Sequence, residues 1–312
     1  MRCIATEWGS RGTRPVSFVY NHIMARPERA YLSVIQWPSS YGEEEAAALV
    51  ADVLNLDLYS ARQRVRHGVP GIISRIQSLD APRIVQHLTD AGTLAFAASE
   101  SDIAALGRPI RARGFAAINS SQCSVETFDH GRLTFPTTGI FLLVRGSPSV
   151  TEQRPPAPLD HADKMAIGGH YMIGGVAGAA MAYHEASTRR GTTRTTRTEL
   201  LDIHLRSGEW IRCDGTRFSF DILGKTRGPA DSVNMDTLTW WLAKAAPNAI
   251  PEANFQQFKC PLEFIRTAMR SMSANATAVT TNAPAFDFYS VWSCLLYRTL
   301  SPDWKSPTHI PQ

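Results

Sequence analysis

The sequence predicts an α+β protein: a small β-α-α-β-α-β unit, then a mainly antiparallel β domain with helices at its C-terminal end. Three observations lead there. The chain is 44% hydrophobic and 19% charged, the balance of one that buries a core. From Ala30 to Ser99 the apolar period switches between about 3.6 and 2. Beyond that, short alternating runs separated by turn residues dominate, and amphipathic helical patterns return only late. A length of 312 residues suits two domains.

Residues 1–29 have no period and form a lead-in. They contain Glu7, Trp8 and several arginines where a signal peptide needs an apolar run, so the expected location is cytoplasmic. "AYLSVIQW" alternates and stops at Pro38, as a strand does. In "SSYGEEEAAALVADVL" glutamates crowd the first turn, and Ala46, Leu49, Val50, Val53 and Leu54 recur at helical spacing. "YSARQRVRHG" turns Leu58, Ala61 and Val65 inward and ends at Gly68. "GIISRI" is a short strand. In "SLDAPRIVQHLTDAG", Asp80 is placed to cap, Pro82 lies in the first turn, Ile84, Val85 and Leu88 form the stripe, and Gly92 is the stop. "TLAFAA" closes the unit, whose limits are set at 30–106. Its expected core includes Leu49, Val53, Val65, Ile73, Val85 and Leu88.

This order, with Leu56, Leu58, Ala61, Val65, Pro70, Leu88, Ala91 and Gly92 in place, resembles the C-terminal domain of the bacterial ribosomal stalk protein. The adaptor of the Clp protease shares that fold. The resemblance implies a protein-binding module. The stalk family's factor-binding surface uses glycines and a lysine near the start of the second helix. Here Asn55, Asp57 and Tyr59 stand there, and Arg62 keeps one positive position. Tyr59, Arg62 and Arg66 are the candidate contacts on this unit.

The second domain is assigned to 107–146 and 190–250. "CSVETF" places Cys123, Val125 and Thr127 on one side, and the unbroken apolar run "GIFLLVRG" reads as a buried strand. Around Ser207-Gly208 a hairpin is expected from Thr198 to Asp214, pairing with Gly139–Arg145. Leu201, Ile203 and Leu205 face inward, leaving Asp202, His204 and Arg206 on a solvated face. "SVNMDTLTWWLAKAAP" reads as a helix starting at Asn234 or Asp236 and stopped by Pro247. Strands closed by one helix resemble a small pleckstrin-homology-like barrel in the order of their elements. The remaining 251–312 is read as a helical, aromatic segment.

An insertion at 147–189 splits the β domain. A proline-rich linker leads into "MAIGGHYMIGGVAGAAMAY", which carries no charged side chain over 165–183. Five glycines, five alanines and His170 make it poor as a membrane span. A break is expected at Gly174-Gly175, because paired glycines lose helix propensity. The run is expected to be covered by protein, with Gly174 and Gly178 as a Gly-x-x-x-Gly contact. Arg189, Arg190, Arg194 and Arg197 follow it as a possible partner contact or the guard of an exposed strand edge.

Motifs for common enzyme chemistry are missing: no dinucleotide fingerprint, P-loop or nucleophile elbow is present. Cys3, Cys123, Cys213, Cys260 and Cys294 lie far apart, without a zinc or disulfide pattern. Asp160, His161, Asp163 and His170 do not space as metal ligands, so neither metal nor cofactor is expected. Asp202 and His204 could orient an imidazole for general-base work, the one hydrolase possibility. A net charge of +4, almost all arginine, is too mild to indicate nucleic acid. Of the tail aromatics, Trp292 is the candidate partner contact if they do not fill a core. The expectation is a non-enzymatic interaction or assembly subunit whose partner is another protein. The alternative is a membrane-peripheral or membrane-inserted subunit using 165–183, and no small-molecule substrate is evident.

Overall fold

The computed structural model describes residues 27–66, 68–129, 131–154, 161–187, 192–269 and 278–301. The chain is of the α+β class. It opens with β1 (Arg29–Gln36), α1 (Glu43–Leu54), α2 (Leu58–Val65), β2 (Gly71–Gln77), α3 (Ala81–Asp90) and β3 (Leu94–Ser99), the expected order. β1 is the middle strand of an antiparallel sheet ordered β2-β1-β3. Side chains alternate across it, as strand geometry requires. Leu32 and Val34 point to the three helices, where Val50, Val53, Ala61, Ile84 and Leu88 complete a core. Of the six expected core residues, Val53, Val65, Ile73 and Leu88 are buried, while Leu49 and Val85 pack at its margin. Asp57 caps α2 by accepting from the Ser60 N–H at 2.9 Å. Asp80, expected to cap α3, makes no capping hydrogen bond.

After a short α4 (Glu100–Ala105) come β4 (Ile110–Ile118), β5 (Gln122–Thr127), β6 (Arg132–Pro136), β7 (Ile140–Gly146), β8 (Ser149–Arg154) and α5 (His161–Ser187). They are followed by β9 (Thr192–Arg197), β10 (Leu200–Leu205), β11 (Trp210–Asp214), α6 (Asp231–Ala245), β12 (Ile250–Glu252), β13 (Arg266–Met269), β14 (Ala278–Thr281) and α7 (Ala283–Leu300). Seven strands form one sheet ordered β12-β7-β10-β11-β4-β5-β6. The expected hairpin is present: β10 pairs with β11 and with β7, and the Gly208 N–H bonds the Leu205 carbonyl in the turn. The β11/β4 and β12/β7 pairs are parallel.

The two sheets are joined through α7. On one side of that helix lie Tyr31, Phe96 and Ala98 of the first sheet. On the other lie Phe141, Leu142, Val144 and Trp210 of the second. α6 covers the opposite face of the second sheet with Met235, Leu238 and Leu242. The layers therefore run α1–α3, first sheet, α7, second sheet, α6. A helix apolar on all sides belongs between two layers, and α7 buries Phe286, Phe288, Tyr289, Val291, Trp292, Cys294 and Leu296.

Several boundaries differ from the sequence reading. The 30–106 unit does not close on itself, because one face of its sheet needs α7. The segment from 251 on is not helical throughout; β12, β13 and β14 precede α7. The seven strands form an open series rather than a barrel, and no pairing joins β6 to β12 among the described residues. α6 starts at Asp231, ahead of Asn234, whose side chain instead accepts from the Gly228 N–H. β9 leaves the second sheet altogether.

β9 lies at the edge of a separate sheet ordered β13-β14-β8-β9. None of its described residues belongs to a buried apolar cluster. Its strands are joined by antiparallel backbone ladders, and a row of threonines lies in register across all four: Thr195, Thr151, Thr280 and Thr267. Thr151 and Thr195 share a hydroxyl hydrogen bond of 3.1 Å, and Thr267 and Thr280 another. Cross-strand threonine pairs stabilise sheets that lack a core face. This sheet is an arm off the layered body, and α5 lies between its strands β8 and β9.

Candidate functional site

The Asp202 and His204 candidates lie at the second sheet's contact with α7. Asp202 and His204 do share one face of β10, but that face is covered: they are 0% and 1% exposed. The expectation of a solvated face fails because α7, distant in sequence, packs there. Nor do they form a pair. Both Asp202 oxygens accept from Arg212, at 2.7 and 2.8 Å. Arg212 also bonds Asp287 of α7 and lies over the Trp210 and Phe286 rings. Burial alone would lower the Arg212 pKa, but the two carboxylates outweigh it and keep the guanidinium charged. His204 Nε2 lies 2.9 Å from Ser290 Oγ, and its ring stacks on Trp210. Burial, then Arg298 and Arg212, hold its pKa down to about 3, so the ring is neutral. A serine and a neutral histidine in contact are the start of a nucleophile–base pair, but this one is sealed from solvent.

A cleft of about 910 Å³ borders this seam, lined by Trp210, Arg212 and Asp287 among others. Arg108, Arg111, Arg212 and Arg266 line it together with Asp129 and Asp287. Arg111 is already engaged by Asp129 at 3.0 Å and Arg212 by its two carboxylates. Two of its four arginines are thus neutralised by carboxylates, and Arg108 and Arg266 leave the lining with an excess of positive charge. No group of three or more His, Cys, Asp or Glu side chains converges as a metal site among the described residues.

The arm presents a different kind of surface. α5 is broken at Gly175, with φ 61° and ψ −153°, beside the predicted Gly174-Gly175 break. The chain folds back there: a Cβ on Gly178 would sit 2.6 Å from the His170 carbonyl oxygen. The element is thus a helical hairpin, and Gly178 serves its internal contact. Gly174 and Gly178 fall on either side of the break, so they do not form one Gly-x-x-x-Gly face. Of the two expected covers, the body of this chain or a second chain, the body does not supply one. Met165, Tyr171, Met172, Ile173, Val176, Met181 and Tyr183 are all exposed, Ile173 by 92% and Met172 by 85%. No described helix is long and apolar enough to cross a membrane.

The other expected contacts scatter. Tyr59 is exposed at the start of α2, on a cleft shared with Glu263. Arg62 and Arg66 are engaged with Glu44 and Glu43 of α1. Trp292 is 2% exposed and donates to Ser33 Oγ at 2.9 Å, so it is a core residue and not a partner contact. Arg194 and Arg197 lie exposed on the edge strand β9, the position of an edge guard. Arg189 and Arg190 lie outside the described residues, as do Cys3 and Asp160. The seam's Arg212 and Ser290 escaped the sequence reading. A signal for Arg212 existed, since a turn at Ser207-Gly208 sets it directly opposite Asp202.

No protein-family model, no curated protein and no solved structure matches this chain.

Proposed function

We propose that this protein is a non-catalytic assembly subunit that binds another protein through the α5 hairpin. The observation that carries this is the uncharged run 165–183 of the hairpin, with Ile173, Met172 and Val176 exposed around its turn, on an arm that contributes to no apolar cluster of the body. Exposed apolar clusters of this kind mark interaction sites on soluble proteins. The layered body acts as the mount. Its polar seam orders the contact of α7 with the second sheet, and we assign it no turnover. A reducing, cytoplasmic setting fits Cys123, Cys213 and Cys294, which are buried free thiols whose pKa is raised by burial.

The test is removal of 160–190 with a short Gly/Ser linker joining the ends. We expect the thermal midpoint of the body to stay unchanged, because no apolar cluster includes the hairpin. Complexes isolated by cross-linking in source cells should be lost. Unchanged complexes would defeat the reading. The membrane-peripheral alternative draws on the exposed arginines of β9 below an uncharged tip. It requires the full chain, but not the shortened one, to co-sediment with anionic vesicles.

A further inference from the structure

We infer that the partner of the α5 hairpin is the same hairpin on a second copy of this chain, the two packing as a four-helix bundle. This rests on the assembly reading above and names its partner. A two-helix hairpin is half of such a bundle, and it cannot bury its apolar residues alone. Among the hairpin residues whose burial is described, Ile167, Gly178, Ala179 and Ala182 are partly shielded and the others are exposed. Met165, Tyr171, Met172, Ile173, Val176, Met181 and Tyr183 are left outside, between 54% and 92% exposed. At roughly 100 Å² of apolar surface per fully exposed side chain, these partly exposed seven offer on the order of 500 Å² per chain. A standard interface takes about 800 Å² per partner, and the backbone and small side chains around them can supply the remainder.

Charge points the same way. Asp163 and Lys164 precede the uncharged stretch and Glu185 follows it in the sequence. Two copies can meet along 165–183 without bringing like charges together. A two-fold interface needs only a surface complementary to itself, and an uncharged apolar one satisfies that. No charged group along the stretch is available to select a different protein.

Composition favours helices over lipid. Residues 161–187 contain no Leu, Phe or Trp, the residues that hold helices at a bilayer surface. They contain instead Gly168, Gly169, Ala177 and Ala180, all exposed, which let a neighbouring backbone approach closely. The arm makes the meeting sterically open, since its sheet contributes to no cluster of the body.

The experiment is sedimentation velocity of the full-length chain over a wide concentration range, beside Ile173→Asp and Met181→Asp variants. Both positions are solvent-exposed in the single chain, so the variants should keep the wild-type circular dichroism and thermal midpoint. The expected result is a monomer–dimer equilibrium for the full chain. Either aspartate should raise the dimer dissociation constant at least about 100-fold, because it places two like charges in a closed apolar contact. A chain that is monomeric throughout, or a dimer indifferent to both variants, overturns the pairing. So does a monomer that co-sediments with phosphatidylglycerol vesicles through Ile173. If the pairing fails while removal of 160–190 still abolishes a complex in cells, only the choice of partner falls. If both fail, the assembly reading falls with it.

Discussion

At the scale of single residues, the Asp202–Arg212 pair carries the largest electrostatic stakes in the body. Asp202 is fully buried, and Arg212 is 15% exposed. Two charges removed from water cost several kcal/mol each, which their mutual attraction and hydrogen bonds must offset. Removing one partner leaves the other uncompensated. Arg212→Met should therefore destabilise the protein by about 3–5 kcal/mol. The double change Asp202→Leu with Arg212→Met should recover most of that, because neither charge is then buried. Urea unfolding midpoints of the three proteins decide it. A double variant as unstable as the single one would show that the pair does more than neutralise itself. Exposed pairs behave otherwise. Arg62 with Glu44 lies in solvent, and Arg62→Ala should cost less than about 1 kcal/mol by the same assay.

At the scale of elements, α7 sets the tolerances. It lies against Gly146, the last residue of β7, where a Cβ would come within 2.5–2.6 Å of the Phe286 ring and 2.9 Å of Phe255. Both rings are buried, and they meet edge to face with centroids 5.1 Å apart. Phe286 is fixed on α7 and Phe255 is wedged against it, so neither ring has free space to move into. Gly146→Ala should cost about 1–3 kcal/mol through overpacking, read as a lowered thermal midpoint. Pairing the substitution with Phe286→Leu should relieve part of that loss. The glycine is needed here for space and not for an unusual backbone angle. Further along α7, Tyr289 and Tyr297 both donate to Glu252 at 2.6 Å, tying the helix to β12. Burial, then the hydrogen bond to Glu252, raises the pKa of each tyrosine.

At the scale of the molecule, the first unit and the β sheet are one cooperative body. The face of the first sheet with Tyr31, Phe96 and Ala98 is completed by α7, which is more than 180 residues away in the chain. An excised 27–106 fragment would expose those side chains to water. It should bind a hydrophobic dye and aggregate, and it should unfold well below the intact protein. A fragment that is monomeric and melts at the intact temperature would make the unit autonomous after all. The arm behaves oppositely, since its sheet is held by backbone ladders and cross-strand threonines and contributes to no shared core.

Local chemistry alone determined the element order of 29–99, the buried β7, the hairpin turning at Ser207-Gly208 and the break beside Gly174-Gly175. Each follows from interactions within about ten residues: caps, periodicity, turn residues and glycine's low helix propensity. The sequence also limited α7 to two outcomes, an aromatic core or an aromatic surface, without choosing between them. Tertiary structure made that choice by setting α7 between two sheets, which buried Trp292, sealed His204 with Ser290 and turned Asp202 from a solvated group into half of a buried ion pair. It also sent β9 to a separate sheet and left the α5 hairpin uncovered. Strand alternation tells which residues share a face, but what covers that face is decided by elements remote in sequence, through contacts that no local pattern encodes.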